Sequence, residues 1–435
     1  MKTICNKPLR VFDEQVIKFL GDLSAVLLKS PLVRQYPDLS AFAFYIRKAN
    51  LLKLRSTLFP TSQPLNSPTS LPCDPCIPWL NPELASRLGR GLCFHIAPAN
   101  IPVNFAFTWV FSLLAGNANI VRLPSKDFPQ VDALLTIIKD TLGKYPELKE
   151  RNAFVKYPRT DNETTAAYCQ MADCRMIWGG DRTIASIKTL PTKPRCVDVT
   201  FADRYSVAII SAEAILNADD AQIARLAQDF YNDTYLMDQN ACSSPQVILW
   251  EGADIEKAQE RFWSAVEDVA KDKYVLQDAV AVDKYTLFCE EAVNNPAIKS
   301  VVRNGNLLYR VELESLVGKP RNTLNTRKCE DGKEEEEISC DSCISWFDLT
   351  AHRGKAGFFF EYALKAREEF FSVVTEKFQT ITQFGIDVSE LAQQIASAHL
   401  RGIDRIVPIG KAMDIGVFWD GHDLIRELSR VVICN

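Results

Sequence analysis

Apolar positions near the start of the chain recur at helical spacing. Between residues 13 and 30, Val16, Leu20, Leu23 and Leu27 stand three or four apart and the pattern stops at Pro31, which predicts an amphipathic helix ended by a proline. A second helix is expected over residues 39–59. Seven prolines then fall from Pro60 to Pro82; they remove backbone donors and hold extended conformations, so this stretch reads as a surface crossing that closes a helical N-terminal region. From Gly91 the rhythm changes. Short β-rich runs at 92–97, 118–123, 153–157 and 173–178 alternate with helical stretches near 103–115, 129–142, 162–171 and 181–188, the alternation of parallel strands with crossover helices. A second α/β series begins near Ser206, with a helix about 219–236, a strand about 245–250 and a helix about 253–271. The pattern predicts an α/β protein of two doubly wound lobes behind a helical N-terminal region. The acidic run EDGKEEEEI at 330–338 has no core face and reads as a solvated loop.

Composition narrows the class. The chain has 435 residues, enough for two to three domains at ~150 residues each, and an apolar share of 47% supplies sizeable cores. Fifty Lys plus Arg against 55 Asp plus Glu leave a net charge of −5 with no basic half, so neither nucleic acid nor an anionic membrane is expected as a partner. The longest apolar stretch, 101–114, is interrupted by Asn104, Thr108 and Ser112 and falls short of the ~20 residues of a membrane helix, so no membrane span is expected. Residues 1–10 carry Lys2, Lys7 and Arg10, but the apolar residues that follow are mixed with Asp13, Glu14 and Lys18 and form no signal-peptide core. A cytoplasmic protein is expected. Its thirteen scattered cysteines, an odd number, fit reduced thiols better than a disulfide framework.

Three segments can carry chemistry. In YLMDQNACSSPQVILWE (235–251), Cys242 follows a helix, lies among Ala241, Ser243 and Ser244, and precedes Pro245 and a strand. A thiol at such a corner is open to a substrate, as a nucleophile must be; the alternative is a small buried residue filling a gap. In GLCFHIAPANIPVNFAFTWVFSLLAGNANIVRLPSKD (91–127), Pro98 and Pro102 stiffen a turn that holds Asn100, whose amide can donate to a developing oxyanion or simply serve the turn. In IWGGDRTI (177–184), Gly179 and Gly180 end a strand before a helix, where a cofactor can approach the backbone, unless Asp181 is a plain N-cap. No G-x-G-x-x-G, G-x-x-x-x-G-K or H-E-x-x-H occurs. The pairs Cys73/Cys76 and Cys340/Cys343 are either loop thiols or, jointly, a zinc site, but they stand much farther apart than the ~15–20 residues of a zinc ribbon, and no metal is expected. Of the histidines, His95 lies on an expected strand and reads as structural, and none of the four is assigned to catalysis.

Taken in order, these segments resemble the LuxC family of fatty acyl-CoA reductases, a branch of the aldehyde dehydrogenase superfamily. The resemblance runs from PDLSAFAFYIRKANL (37–51) through HIAPANIPVNFAFTWVFSLLAGNANIVRLPSKD, WGGDRTI and MDQNACSSPQ to KFQTITQFGI (377–386) and GIDRIVPIGKAMDIGVFWDGHDL (402–424), nearly the whole chain. It implies an aldehyde-dehydrogenase-like fold divided into a helical N-terminal region and proline-rich crossing (1–82), a nicotinamide-cofactor domain with a five-stranded sheet (83–202), a catalytic cysteine domain (203–405) and a C-terminal segment returning to the domain interface (406–435).

By position, Cys242 corresponds to the family's acyl-accepting nucleophile and Asn100 to the asparagine that holds the oxyanion with the cysteine backbone N–H. The implied reaction is attack of the Cys242 thiolate on an acyl thioester, departure of coenzyme A or another carrier, and reduction of the acyl-cysteine to an aldehyde. Where aldehyde-oxidising members carry a glutamate base, this chain reads TFADRYSVAII (200–210), with Asp203 but no glutamate, which favours acyl reduction over hydrolysis. Arg122 falls where the superfamily keeps a basic residue near the adenosine ribose, and Ser125 with Lys126 where NAD-preferring members place a glutamate, so NADPH is the expected cofactor unless these residues merely cap the next helix. Phe105, Phe107, Trp109 and Phe111, with Phe358 to Phe360, are apolar enough to wall a fatty acyl channel, although residues on one element point several ways and most belong to a core. Two other readings stand beside this one: oxidation of an aldehyde, and an acyl-accepting subunit that mainly docks with acyl-protein synthetase and acyl-transferase partners through the region before Pro60. The resemblance further implies a homo-oligomer and a link to luminescence.

Overall fold

The computed structural model describes residues 4–60, 87–98, 101–317 and 348–432. Asn100, most of the proline-rich crossing, both C-x-x-C pairs and the acidic run lie outside the described residues. The chain divides into two compact units, one formed by residues up to Asp203 together with Ile415 onward, the other by Arg204–Asp414.

In the first unit the opening apolar stripe becomes α1 (Glu14–Lys29), whose first turn is capped by the Asp13 carboxylate accepting from the Gln15 N–H. The helix expected over 39–59 is broken. Here α2 (Leu32–Gln35) is followed by α3 (Pro37–Tyr45) and α4 (Lys48–Leu58). Arg47 is extended at ψ 135°, Ile46 turns fully into the core, and the Asn50 side chain donates to the freed Phe44 carbonyl at 2.6 Å. The Asn50 side chain, together with the Arg47 N–H at 3.3 Å, thus stands in for the donor four residues on that a continuous helix would have used.

Strands β1 (Arg87–Gly89) and β2 (Leu92–Ile96) lead into α5 (Asn104–Leu114), every residue of which is buried. Trp109 meets Phe19 of α1 edge-on at 5.9 Å and Phe107 meets Phe42 of α3 at 5.2 Å, so α1 and α3 cover a helix that is buried all round. The α5 aromatics considered as channel walls are therefore core. The alternation continues through β3 (Ala118–Arg122), α6 (Pro129–Leu142), α7 (Pro146–Lys149), β4 (Asn152–Val155), α8 (Asn162–Met171), β5 (Cys174–Trp178), α9 (Asp181–Lys188) and β6 (Val197–Phe201). Five parallel strands stand in the order β4-β3-β2-β5-β6, as expected for the first lobe. The order reverses at β2, and a ligand crevice is expected beyond the strand ends at such a switch point.

The second unit is built on β7 (Tyr205–Ser211), α10 (Ala212–Asn217), α11 (Asp220–Thr234), β8 (Pro245–Glu251), α12 (Ile255–Lys273), α13 (Asp278–Asn294), β9 (Ile298–Asn304), β10 (Leu308–Leu313), β11 (Phe358–Ala363), β12 (Phe378–Phe384) and β13 (Arg405–Pro408). Its seven strands run β13-β12-β7-β8-β11-β10-β9, and only β9 is antiparallel to its neighbour. Phe230, Phe262, Trp263 and Phe359 pack one face, while Phe358 and Phe360 belong to the core on the other, so these too are packing residues. Buried Glu361 accepts from the indole N–H groups of Trp250 (2.9 Å) and Trp263 (2.6 Å) and pairs with Arg310 at 2.7 Å. Past the second unit the chain forms β14 (Phe418–Trp419), β15 (His422–Asp423) and β16 (Ser429–Val431). The last of these lies antiparallel to β1 in the first unit. No helix among the described residues is long and apolar enough to cross a membrane.

Candidate active site

Cys242 occupies the connection between α11 and β8. After α11 the chain makes one 3₁₀ turn (Tyr235–Met237) and passes through Asp238 and Gln239, both left-handed at φ 49° and 61°. Such a conformation is uncommon for glutamine and must be held by surrounding bonds. The buried Gln239 amide supplies them: it donates to the Pro245 and Phe358 carbonyls (3.2 and 3.0 Å) and accepts from the Gly357 N–H (3.3 Å). Gly357 is needed opposite, because at its φ of 86° a Cβ would meet the Leu307 carbonyl oxygen at 2.3 Å. Gln246 donates to the Gln239 carbonyl and accepts from the Gly354 N–H.

Cys242 itself is half-buried. Its carbonyl accepts from the Ser206 hydroxyl at 2.7 Å, and that hydroxyl accepts in turn from the Thr380 N–H. Ser244 donates through its hydroxyl to the Asp233 carbonyl at 2.6 Å, and the Ser243 hydroxyl to the Met413 thioether at 3.7 Å. By contrast Cys93, Cys169 and Cys174 are buried in the first unit, and burial pushes the Cys169 thiol up. Asp233 also anchors residues 409–414: its carboxylate accepts from the Gly410 (2.6 Å) and Ala412 (3.0 Å) N–H groups, while burial outweighs those bonds and pushes its pKa up to about 7. Asp233, Gln239, Gln246 and Ser206 were not singled out as site residues from the sequence. Asp233 alone left a signal, since it continues the buried series Ile223, Leu226 and Phe230 of α11 with a charge.

In the first unit a cavity of about 500 Å³ opens at the carboxyl ends of β2, β3 and β5. Arg122, Ser125, Gly179 and Gly180 all line it. Lys126 is not among the lining residues; its ammonium lies over the Phe128 ring, 5.3 Å from the centroid. Gly180 is the N-cap of α9 and a Cβ there would meet open space, whereas Asp181 is the first helical residue and makes no capping bond. The plain N-cap reading of Asp181 is thereby corrected. Sequence reasoning missed Arg159 and Arg182. Arg159 donates to the Thr183 hydroxyl at 3.0 Å, and the Arg122 guanidinium lies over the Tyr157 ring at 4.6 Å. With three arginines, several hydroxyls and no carboxylate on its wall, the cavity suits a ligand bearing phosphates.

Histidine partners also become visible. His95 is fully buried on β2 with Nε2 at 3.0 Å from Asn119; His352 Nδ1 lies 2.7 Å from Glu291; His422 pairs with Glu427 at 2.9 Å and faces the Thr200 carbonyl at 3.3 Å. Among the described residues no three His, Cys, Asp or Glu side chains are grouped so as to hold a metal.

The family model described as acyl-CoA reductase (LuxC) matches residues 79–286. No curated protein matches the sequence. The fold is similar to that of a NAD-dependent benzaldehyde dehydrogenase from Corynebacterium glutamicum, with a TM-score of 0.56 at 13% identity over 96% of this chain and 84% of that one. An oxidoreductase from Marinobacter aquaeolei gives 0.57 at 12% identity, over 99% and 87%. An NADP-dependent glyceraldehyde-3-phosphate dehydrogenase from Bacillus halodurans, complexed with NADP, gives 0.52 at 12%, over 97% and 83%. Residues 79–286 are thus similar to the LuxC acyl-CoA reductase family, and the fold is aldehyde-dehydrogenase-like.

Proposed function

We propose that the protein reduces a fatty acyl thioester, on coenzyme A or another carrier, to the aldehyde with NADPH through a thioester on Cys242. The observation that carries this reading is the half-buried Cys242 on a turn held by Gln239, Ser206 and Ser244, with small residues on either side of it in sequence. A nucleophile held in one geometry reacts without first ordering its loop. The Cys242 thiolate attacks the acyl carbonyl carbon; the oxyanion is assigned to Asn100 and the Cys242 backbone N–H; the carbon–sulfur bond to the carrier breaks and the carrier thiolate leaves, taking a proton.

Arg122, Arg159 and Arg182 with Ser125 and the open Gly180 backbone fit the phosphates of a nicotinamide dinucleotide, and the absence of a carboxylate from that wall favours a 2′-phosphate. When bound, such a cofactor supplies the hydride that converts the acyl-cysteine to aldehyde and frees the thiolate. Residues 200–210 offer no glutamate to activate water, so the acyl-cysteine is spared for reduction.

The test is to incubate wild type and Cys242→Ala with radiolabelled long-chain acyl-CoA, trap protein-bound label, and add NADPH or NADH. Label on wild type alone, released as aldehyde faster by NADPH, is expected. Equal label on both proteins, or label on neither at any chain length, would overturn the acyl-cysteine mechanism; discharge by NADH alone would overturn the cofactor assignment.

A further inference from the structure

The turn that carries Cys242 brings almost no apolar surface of its own, since Ala241, Ser243 and Ser244 are all small. Three larger apolar side chains are nevertheless associated with it in the second unit: Leu236, which is 57% exposed, half-buried Met237, and half-buried Met413. None of the three belongs to either apolar core of that unit. Met413 lies 170 residues further along the chain, yet its thioether sits 3.7 Å from the hydroxyl of Ser243, the residue next to Cys242.

This proximity is built from both sides of the backbone. The Ile409 N–H donates to the Gln383 carbonyl, and the Gly410 and Ala412 N–H groups donate to the Asp233 carboxylate. The Arg405 guanidinium donates to the carbonyls of Lys411 (2.6 Å), Ala412 (2.9 Å) and Asp414 (2.9 Å). Asp233 closes the circuit, because its own carbonyl accepts from Ser244 on the cysteine turn. The segment around Met413 and the turn around Cys242 are thus fastened to one residue. A rigid backbone presenting one flexible, polarisable thioether against Ser243, the residue that follows Cys242, is suited to an alkyl chain, whose conformers vary while its chemistry does not. Coenzyme A phosphates would gain nothing from such a wall.

Resting on the acyl-cysteine reading above, we propose that Met413 is a specificity-determining residue that packs against the first methylenes of the acyl chain and thereby favours thioesters that carry those methylenes over an acetyl thioester, which has none. Each methylene left uncovered should cost about fourfold in affinity. The test compares acetyl-CoA with tetradecanoyl-CoA in single-turnover acylation of wild type, Met413→Ala and Met413→Gln, read as the ratio of kcat/KM for the long chain to that for the acetyl group. The expected result is a ratio lowered about sixteenfold in both variants, two methylenes' worth. The glutamine variant keeps the reach of the side chain, so it separates loss of apolar contact from loss of volume. An unchanged ratio, including one in which both substrates slow equally, would overturn the assignment of Met413 and leave the acyl-cysteine mechanism standing. Wild type that takes up neither acyl group on Cys242 would overturn both.

Discussion

At the residue scale, the buried carboxyl of Asp233 beside the cysteine turn departs far from its type. Burial raises its carboxyl from the ordinary 3.8 to about 7 despite two backbone N–H donors. A folded-state value above the unfolded one means that the folded chain holds the proton more tightly between the two values, so the associated stability is fully present below about 3.8 and is lost as pH rises through about 7. Thermal midpoints of wild type and Asp233→Asn, measured across that range, should therefore show a wild-type advantage that shrinks by several degrees toward pH 8 (about one unit above the shifted value). A gap that is flat with pH would show that Asp233 keeps an ordinary carboxyl. Legibility at this scale follows locality. The helix-to-strand corner that holds Cys242 was readable because small neighbours and Pro245 stand beside it in sequence, whereas the place of Arg159 was not, because its partner Thr183 comes from a helix 24 residues later.

At the scale of elements, β2 to β5 with α5, α6 and α8 fell within a residue or two of their expected bounds, because alternation of apolar runs is a local property, while the single turn α7 was not foreseen. The break between α3 and α4 was hidden. It depends on Asn50 reaching back to Phe44 and on Ile46 finding a core, neither of which a period can express. The connection from α11 to β8 raises the same issue more sharply, since a glutamine at φ 61° runs against local preference and is paid for by tertiary bonds. Gln239→Ala should leave the Gly357 N–H and the Pro245 and Phe358 carbonyls without that amide, at roughly 1–3 kcal/mol for each buried group left unmatched. Lower thermal stability together with faster amide exchange at residues 238–242 is the expected outcome. Unaltered exchange there would mean that other bonds suffice to hold the turn.

At the scale of the whole molecule, the two α/β lobes and the five-stranded sheet could be anticipated, but the path of the chain through them could not. Nothing local in Ser429–Val431 announces a strand partner at Arg87–Gly89, nor that the Asn117 side chain will donate to the Leu428 carbonyl at 2.9 Å and the Arg90 guanidinium to Glu427 at 2.5 Å. Long-range pairing of this sort is invisible to period and composition alike. Cutting the chain after Asp414 should consequently lower the first unit's unfolding midpoint while the second, continuous from Arg204 to Asp414, keeps its own transition; calorimetry that shows equal losses in both would contradict the division.

The pairing of β1 with β16 also bears on how the protein is made. Translation delivers the chain from one end, so β1 leaves the ribosome more than three hundred residues before its partner, and the entire second unit is synthesised in the interval. During that time the edge of β1 has no neighbour from the C-terminal segment, while Arg204–Asp414 has every strand it needs for its sheet. The order of maturation is thereby inverted with respect to the order of synthesis: the unit that emerges first is the one completed last.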